Sequence, residues 1–150
     1  MVLTVGSSGL YGLAEGAETG LSVASAFKDL TVFAALGSMT NVSAMPFNAS
    51  RNTLIVFADH DKGNEESDKK TNHAAEELHR KGFNVLLTKP ATAGQDFNQL
   101  LCEQGLDAVK AQAGALTLFT PEASLKPLSP AKGLLRQRVK KKHLEQELDF

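Results

Sequence analysis

Apolar and polar residues alternate along the chain in blocks whose lengths suit strands and helices in turn. "LYGLA" (residues 10–14) is a short apolar run and reads as a strand. Behind it Ala17, Leu21, Ala24 and Phe27 recur at helical spacing, with Glu18 in the first turn, where the helix dipole favours an acid. "TVFAAL" (31–36) predicts a second strand, and "GSMTNVSAMPFNASRN" a loop with one irregular helical turn. "TLIVFA" (53–58) is the clearest strand, a continuous apolar run of the kind buried on both faces. After a polar stretch, Asn72 to Lys81 reads as a helix with Ala74, Ala75 and Leu78 inward and Gly82 as its stop. "FNVLLT" (83–88) is a fourth strand. Asp96 then N-caps a helix carrying Phe97, Leu100 and Leu101, which "GLDAVKAQA" continues.

Strand, helix, strand, strand, helix, strand, helix is the pattern of an α/β domain: a central, mainly parallel sheet of about four strands flanked by helices. Past Ala113 the pattern weakens. "ALTLF" suits an edge strand, "TPEASLKPLSP" a proline-rich connector, and Lys132 to Leu148 a charged helix. The expected division is a domain over 1–113 and a C-terminal extension over 114–150.

The totals narrow the class. At 150 residues the chain is long enough for one domain with a real core. No apolar stretch approaches a membrane span, and "MVLTVGSSGL" lacks the features of a secretory signal, so a cytoplasmic location without a membrane partner is expected. Cys102, the one cysteine, excludes an internal disulfide and a cysteine-rich zinc site; following two leucines on a helix, it reads as a small core hydrophobe. Tyr11 lies in the first strand and reads as core, whereas His60, His73 and His79 read as surface residues.

A formal net charge of −1 conceals segregation. Asp59 to Asp68 is acid-rich, whereas Lys126 to Lys142 carries Lys132, Arg136, Arg138, Lys140, Lys141 and Lys142 with no acid between. That basic run suits contact with phosphates. The acids raise a sharper question. Glu15 ends the first strand, and Asp59 and Asp61 follow the strand over 53–58. Functional groups gather at the carboxyl ends of parallel strands. If the two strands are neighbours, three carboxylates converge and raise one another's pKa, unless a hard cation such as Mg²⁺ lies among them.

The order "AEGAETGLS", "VFAALGS", "LIVFADHDKG", "AGQDFNQLL" resembles the successive motifs of the Toprim domain, most nearly as found in plasmid and phage primases, which are often joined to helicase or relaxase domains. The likeness covers roughly residues 8–110. It implies a compact Rossmannoid fold and a Mg²⁺- or Mn²⁺-dependent phosphoryl-transfer site. The family's glutamate matches Glu15, followed by Gly16; its Asp-x-Asp pair matches Asp59 and Asp61; its G-x-D-x-N element matches Gly94, Asp96 and Asn98. By that resemblance the three acids hold the metal, with the glutamate acting in proton transfer. Glu18 would support them, or simply favour the helix start. The family usually passes from the aspartate pair straight into a helix, whereas here "KGNEESDKKTNHAAEEL" reads first as a charged surface loop over 62–72. Lys62 and Lys89 are the nearby candidates for triphosphate contacts.

The implied function is primer synthesis on single-stranded DNA from nucleotides. The alternatives are a metal-dependent nuclease of the same family and a non-catalytic nucleic-acid-binding module. A topoisomerase would need further domains and a nucleophilic tyrosine. "VLLTKPATAG" is similar to the Lys-Pro element of response-regulator receiver domains, but that reading leaves "AEGAETG" and "GQDFN" without a role.

Overall fold

A computed structural model describes residues 1–47, 53–63 and 65–121; the basic residues Lys132, Arg136, Arg138, Lys140, Lys141 and Lys142 lie outside them. The described residues include six strands: β1 (Val2–Thr4), β2 (Tyr11–Ala14), β3 (Thr31–Ala34), β4 (Thr53–Phe57), β5 (Asn84–Thr88) and β6 (Thr117–Leu118). They form one sheet in the order β1-β3-β2-β4-β5-β6. The inner four run parallel, whereas β1 and β6 pair antiparallel on the two edges. The parallel quartet is the sheet the sequence predicts. β1 is new, and "ALTLF" contributes the far edge strand at Thr117–Leu118. One compact unit extends over Met1–Phe119.

Parallel strands covered on both faces need apolar side chains at every position, and β2 and β3 are buried throughout. The helices α1 (Ala17–Ala26) and α3 (Phe97–Ala113) pack against each other and build one core with Val32, Phe57 and Leu30. The helix α2 (Glu65–Arg80) and a 3₁₀ helix over Met39–Ala44 contribute to the other, around Tyr11, Leu13, Phe33, Leu54 and Val56. Alternation along β4 sorts its side chains accordingly: Leu54 and Val56 belong to the α2 core, Ile55 and Phe57 to the α1/α3 core. Tyr11 is buried against Phe33, Phe47 and Phe83.

Two readings need correction. The stretch over 65–71, expected as a charged loop, forms the first two turns of α2. Glu65, Glu66 and Asp68 stand at its dipole-positive end, and Glu65–Lys69 and Glu66–Lys70 pair at i,i+4, so the helix starts before its apolar face does. Cys102 is exposed, because the buried face of α3 is carried by Phe97, Leu100, Val109 and Ala113. The continuation of α3 through "GLDAVKAQA" is kinked at Gly105, whose φ is 81°. The stop at Gly82 holds, with φ 93°.

Candidate functional site

β2 and β4 are adjacent and parallel, with Ala14 opposite Phe57. Glu15 and Asp59 therefore leave the sheet at the same end, from neighbouring strands. From β2 the chain passes through α1 to β3 on one side, and then crosses to β4 on the other. The acids thus stand at the point where strand order reverses, the crevice in which open α/β sheets place ligands.

Asp59 is half-buried. Its carboxyl is pushed up from 3.8 to about 6, chiefly by burial, then by the carboxylates of Asp96, Glu15 and Asp61; a hydrogen bond from Thr19 is the smallest influence and acts the other way. Thr19 Oγ1 donates to Asp59 Oδ1 at 3.4 Å. Four carboxylates therefore share one electrostatic neighbourhood. Asp61 is exposed and Glu15 half-buried, so this patch opens to solvent.

The supporting residues divide by role. Asp96 caps α3, accepting from the Gln99 amide at 2.6 Å, while also raising Asp59. Asn98 ties α3 to α1: its Oδ1 lies 3.1 Å from Ser22 Oγ, which is also 3.0 Å from the Glu18 carbonyl. Glu18 is exposed in the first turn of α1. Gly16 is the N-cap of α1, with φ −99° and open space where a Cβ would stand, so packing does not require glycine there. Lys62 is exposed. Lys89, at the end of β5, is drawn to Asp68 of α2 at 3.8 Å. His73 and His79 are exposed, as expected.

Thr19 and Gln95, near the acids, escaped the sequence reading, and His60, expected on the surface, is half-buried with its ring bonded to the Pro90 carbonyl. Thr19 had a signal, since it lies four residues after Glu15 on the first turn of α1 and so returns toward the strand ends. Gln95 had none, because it meets His60 through a bridge between two loops, and that bridge is also why His60 is less exposed than expected.

Whether this patch suits a metal is a matter of donor chemistry. Among the described residues no three His, Cys, Asp or Glu side chains stand together as a ready-made metal site. Mg²⁺ and Mn²⁺ prefer hard oxygen ligands, and Mg²⁺ in particular keeps several waters while taking only one or two carboxylates. Glu15, Asp59 and Asp61 offer such oxygens; Asp59 is held up chiefly by burial and then by its carboxylate neighbours, and a divalent cation would offset that second influence. The residues fit.

Among the described residues no helix is long and apolar enough to cross a membrane. A search of curated proteins finds no match. Three solved structures share the fold at low identity. The Aquifex aeolicus primase (zinc-binding and RNA polymerase domains) is 15% identical with a TM-score of 0.54, the match covering 74% of this chain and 27% of that one. The DnaG catalytic core is 15% identical with a TM-score of 0.51, over 75% and 36%. The RNA polymerase domain of Mycobacterium tuberculosis primase DnaG is 16% identical with a TM-score of 0.52, over 92% and 51%. The chain thus spans from about a quarter to about half of the length of these structures. Against protein-family models, residues 11–107 match the Toprim domain. That span takes in both acid-bearing strand ends and most of α3, and this chain belongs to the Toprim domain family.

Proposed function

We propose that this chain is the metal-binding catalytic domain of a DNA primase of the plasmid or phage type, joining nucleotides into primers on single-stranded DNA. The observation that carries the reading is the parallel pairing of β2 with β4, which brings the strand ends before Glu15 and Asp59 to the same edge of the sheet, where Asp96, Glu15 and Asp61 all act on the Asp59 carboxyl. The likeness in fold to primase catalytic cores supports it.

Asp59 and Asp61 would hold Mg²⁺ or Mn²⁺, with Glu15 completing the acidic face. A bound ion would supply charge stabilisation to the attacking and leaving oxygens of the transfer. The chain's own residues do the rest. Asp59 must give up the proton it holds below about pH 6 before it can ligate. Thr19 steadies its carboxylate from α1. Glu15, at the end of the neighbouring strand, would take the proton of the attacking hydroxyl. Lys62 and Lys89 are the nearest candidates for incoming phosphates, and Lys89 would have to leave Asp68 to serve.

The deciding experiment is primer synthesis by the full-length protein with Asp59→Asn, Asp61→Asn and Glu15→Gln in turn. Each should abolish metal-dependent nucleotide addition while the circular dichroism of the fold persists. Wild-type primer synthesis by Asp59→Asn would overturn the assignment. Metal-dependent cleavage of DNA or RNA without nucleotide addition would assign the same site to a nuclease, and nucleic-acid binding with neither activity would leave an accessory module.

Helicase or relaxase domains of a larger protein are the partners this reading favours. The basic residues Lys132, Arg136, Arg138, Lys140, Lys141 and Lys142 would track template phosphates. Each phosphate neutralised on single-stranded DNA steepens the log–log salt dependence by about 0.7, so removing residues 131–150 should flatten it by about two to four units. An unchanged slope would remove the tail from the template path.

A further inference from the structure

We propose that His60 is a positioning residue for the aspartate pair, clasping the Asp59–Asp61 segment to the chain that leads into α3. The proposal rests on the metal reading above and names what holds the ligands in place.

His60 is fixed at three points. Its amide donates to the Gln95 carbonyl at 3.1 Å, and the Gly94 amide donates to its own carbonyl, so the two residues form an isolated antiparallel bridge. Its ring Nδ1 lies 2.8 Å from the Pro90 carbonyl oxygen. A carbonyl can only accept, so Nδ1 carries the hydrogen. The partner segment is itself anchored. Pro90 is buried, and Gly94 reverses the chain with φ 84°, a conformation that favours glycine. Gln95 is 5% exposed and donates from Nε2 to Glu103 Oε2 at 2.9 Å, while Asp96 caps α3.

Successive side chains along an extended segment point to opposite sides. The ring of His60 thus grips the 90–95 segment on one side, leaving Asp59 and Asp61 to be presented on the other. This matters because the acids repel. Two carboxylates on a free tether would splay apart, whereas a segment pinned at its middle residue keeps both near one position. The chemistry also explains why the middle residue is histidine. Asparagine can place an amide N–H where Nδ1–H stands; glutamine reaches one atom further, and alanine offers no donor.

The test is the Mn²⁺ affinity of the full 150-residue chain, measured by electron paramagnetic resonance for wild type, His60→Ala, His60→Gln, His60→Asn and Asp59→Asn. Removing an outer partner of a metal ligand typically weakens metal binding about 10- to 100-fold. His60→Ala and His60→Gln should show that loss, and His60→Asn should recover most of it. A merely structural histidine would lower affinity only in proportion to the unfolded fraction, whereas a positioning residue lowers it at temperatures where every variant is fully folded by circular dichroism. Should His60→Ala fail to fold, the comparison of glutamine with asparagine decides alone. Wild-type affinity in His60→Gln, or equal loss in all three variants, overturns the proposal and leaves the metal site standing. If Asp59→Asn binds Mn²⁺ as tightly as wild type, the metal reading itself falls and the proposal falls with it.

Discussion

Asp59 and Asp61 lie only a few residues before the acids at the start of α2, yet the two groups live in opposite circumstances. Glu65, Glu66 and Asp68 stand on an exposed helix start, and each has a lysine within reach: Lys69, Lys70 and Lys89. Asp59 instead is half-buried among Asp96, Glu15 and Asp61, and its carboxyl titrates near 6. The first group is at rest with the helix dipole behind it. The second raises the energy of the fold it belongs to. Carboxylates that repel one another at the reversal point of a sheet are what the proposed cation site would need.

The largest effect should follow from removing charge at that position. Asp59→Asn should lower metal-dependent nucleotide addition in the full-length protein by about 10³-fold or more, the several kcal/mol that a catalytic ion supplies. The same neutralisation on the helix, Glu66→Gln, should leave addition near wild type. Equal losses from both would erase the contrast between the two regions.

Stability should move the other way. Asp59 titrates near 3.8 when unfolded and near 6 when folded, so between those values the native state binds the extra proton. Its contribution is fully present below 3.8 and is lost as pH rises through 6. Without metal, Asp59→Asn should therefore stabilise the domain at pH 7.5. Discounted for solvent screening, the gain should be about 1 kcal/mol, or about 4 °C in Tm. At pH 3 the gain from removing the charge should vanish. Calorimetry of both proteins across this range checks the sign, and a variant less stable than wild type at pH 7.5 would show Asp59 to be well solvated or paired.

The smallest effect belongs to the helix start. Glu65→Gln and Glu66→Gln each remove an exposed i,i+4 pair and an acid near the dipole, and each should cost no more than about 0.5 kcal/mol. Urea unfolding would reveal a larger loss, which would mean that these acids also support the site.

The same contrast explains what the sequence could disclose. β2, β3, β4 and β5 were legible because strands covered on both faces are mostly apolar, and Glu15 and Asp59 stood out as the acids that follow two of these runs. α2 was legible only from its apolar face, where Ala74, Ala75 and Leu78 set the period. Its first two turns owe their helicity to charge pairs and the dipole, which apolar periodicity does not register. β1 is too short for any period and is a strand because β3 offers it an edge, whereas "ALTLF" did signal an edge strand, of which Thr117–Leu118 pairs with β5. Asp96 showed itself as a cap, but its field on Asp59 required the fold. The His60–Gln95 bridge was invisible for a related reason: loops joined by backbone hydrogen bonds leave no mark in residue type.

The strand-end acids, on the reading proposed above, would together take up a divalent cation. The most direct test is the pKa of Asp59, read from the side-chain carboxyl carbon by NMR with and without Mg²⁺. Without the ion it should lie near 6, held there chiefly by burial and then by the neighbouring carboxylates. With saturating Mg²⁺ it should fall below the ordinary aspartate value of about 3.9, because the bound cation favours the ionised form. An Asp59 that titrates near 4 and ignores Mg²⁺ would contradict the account.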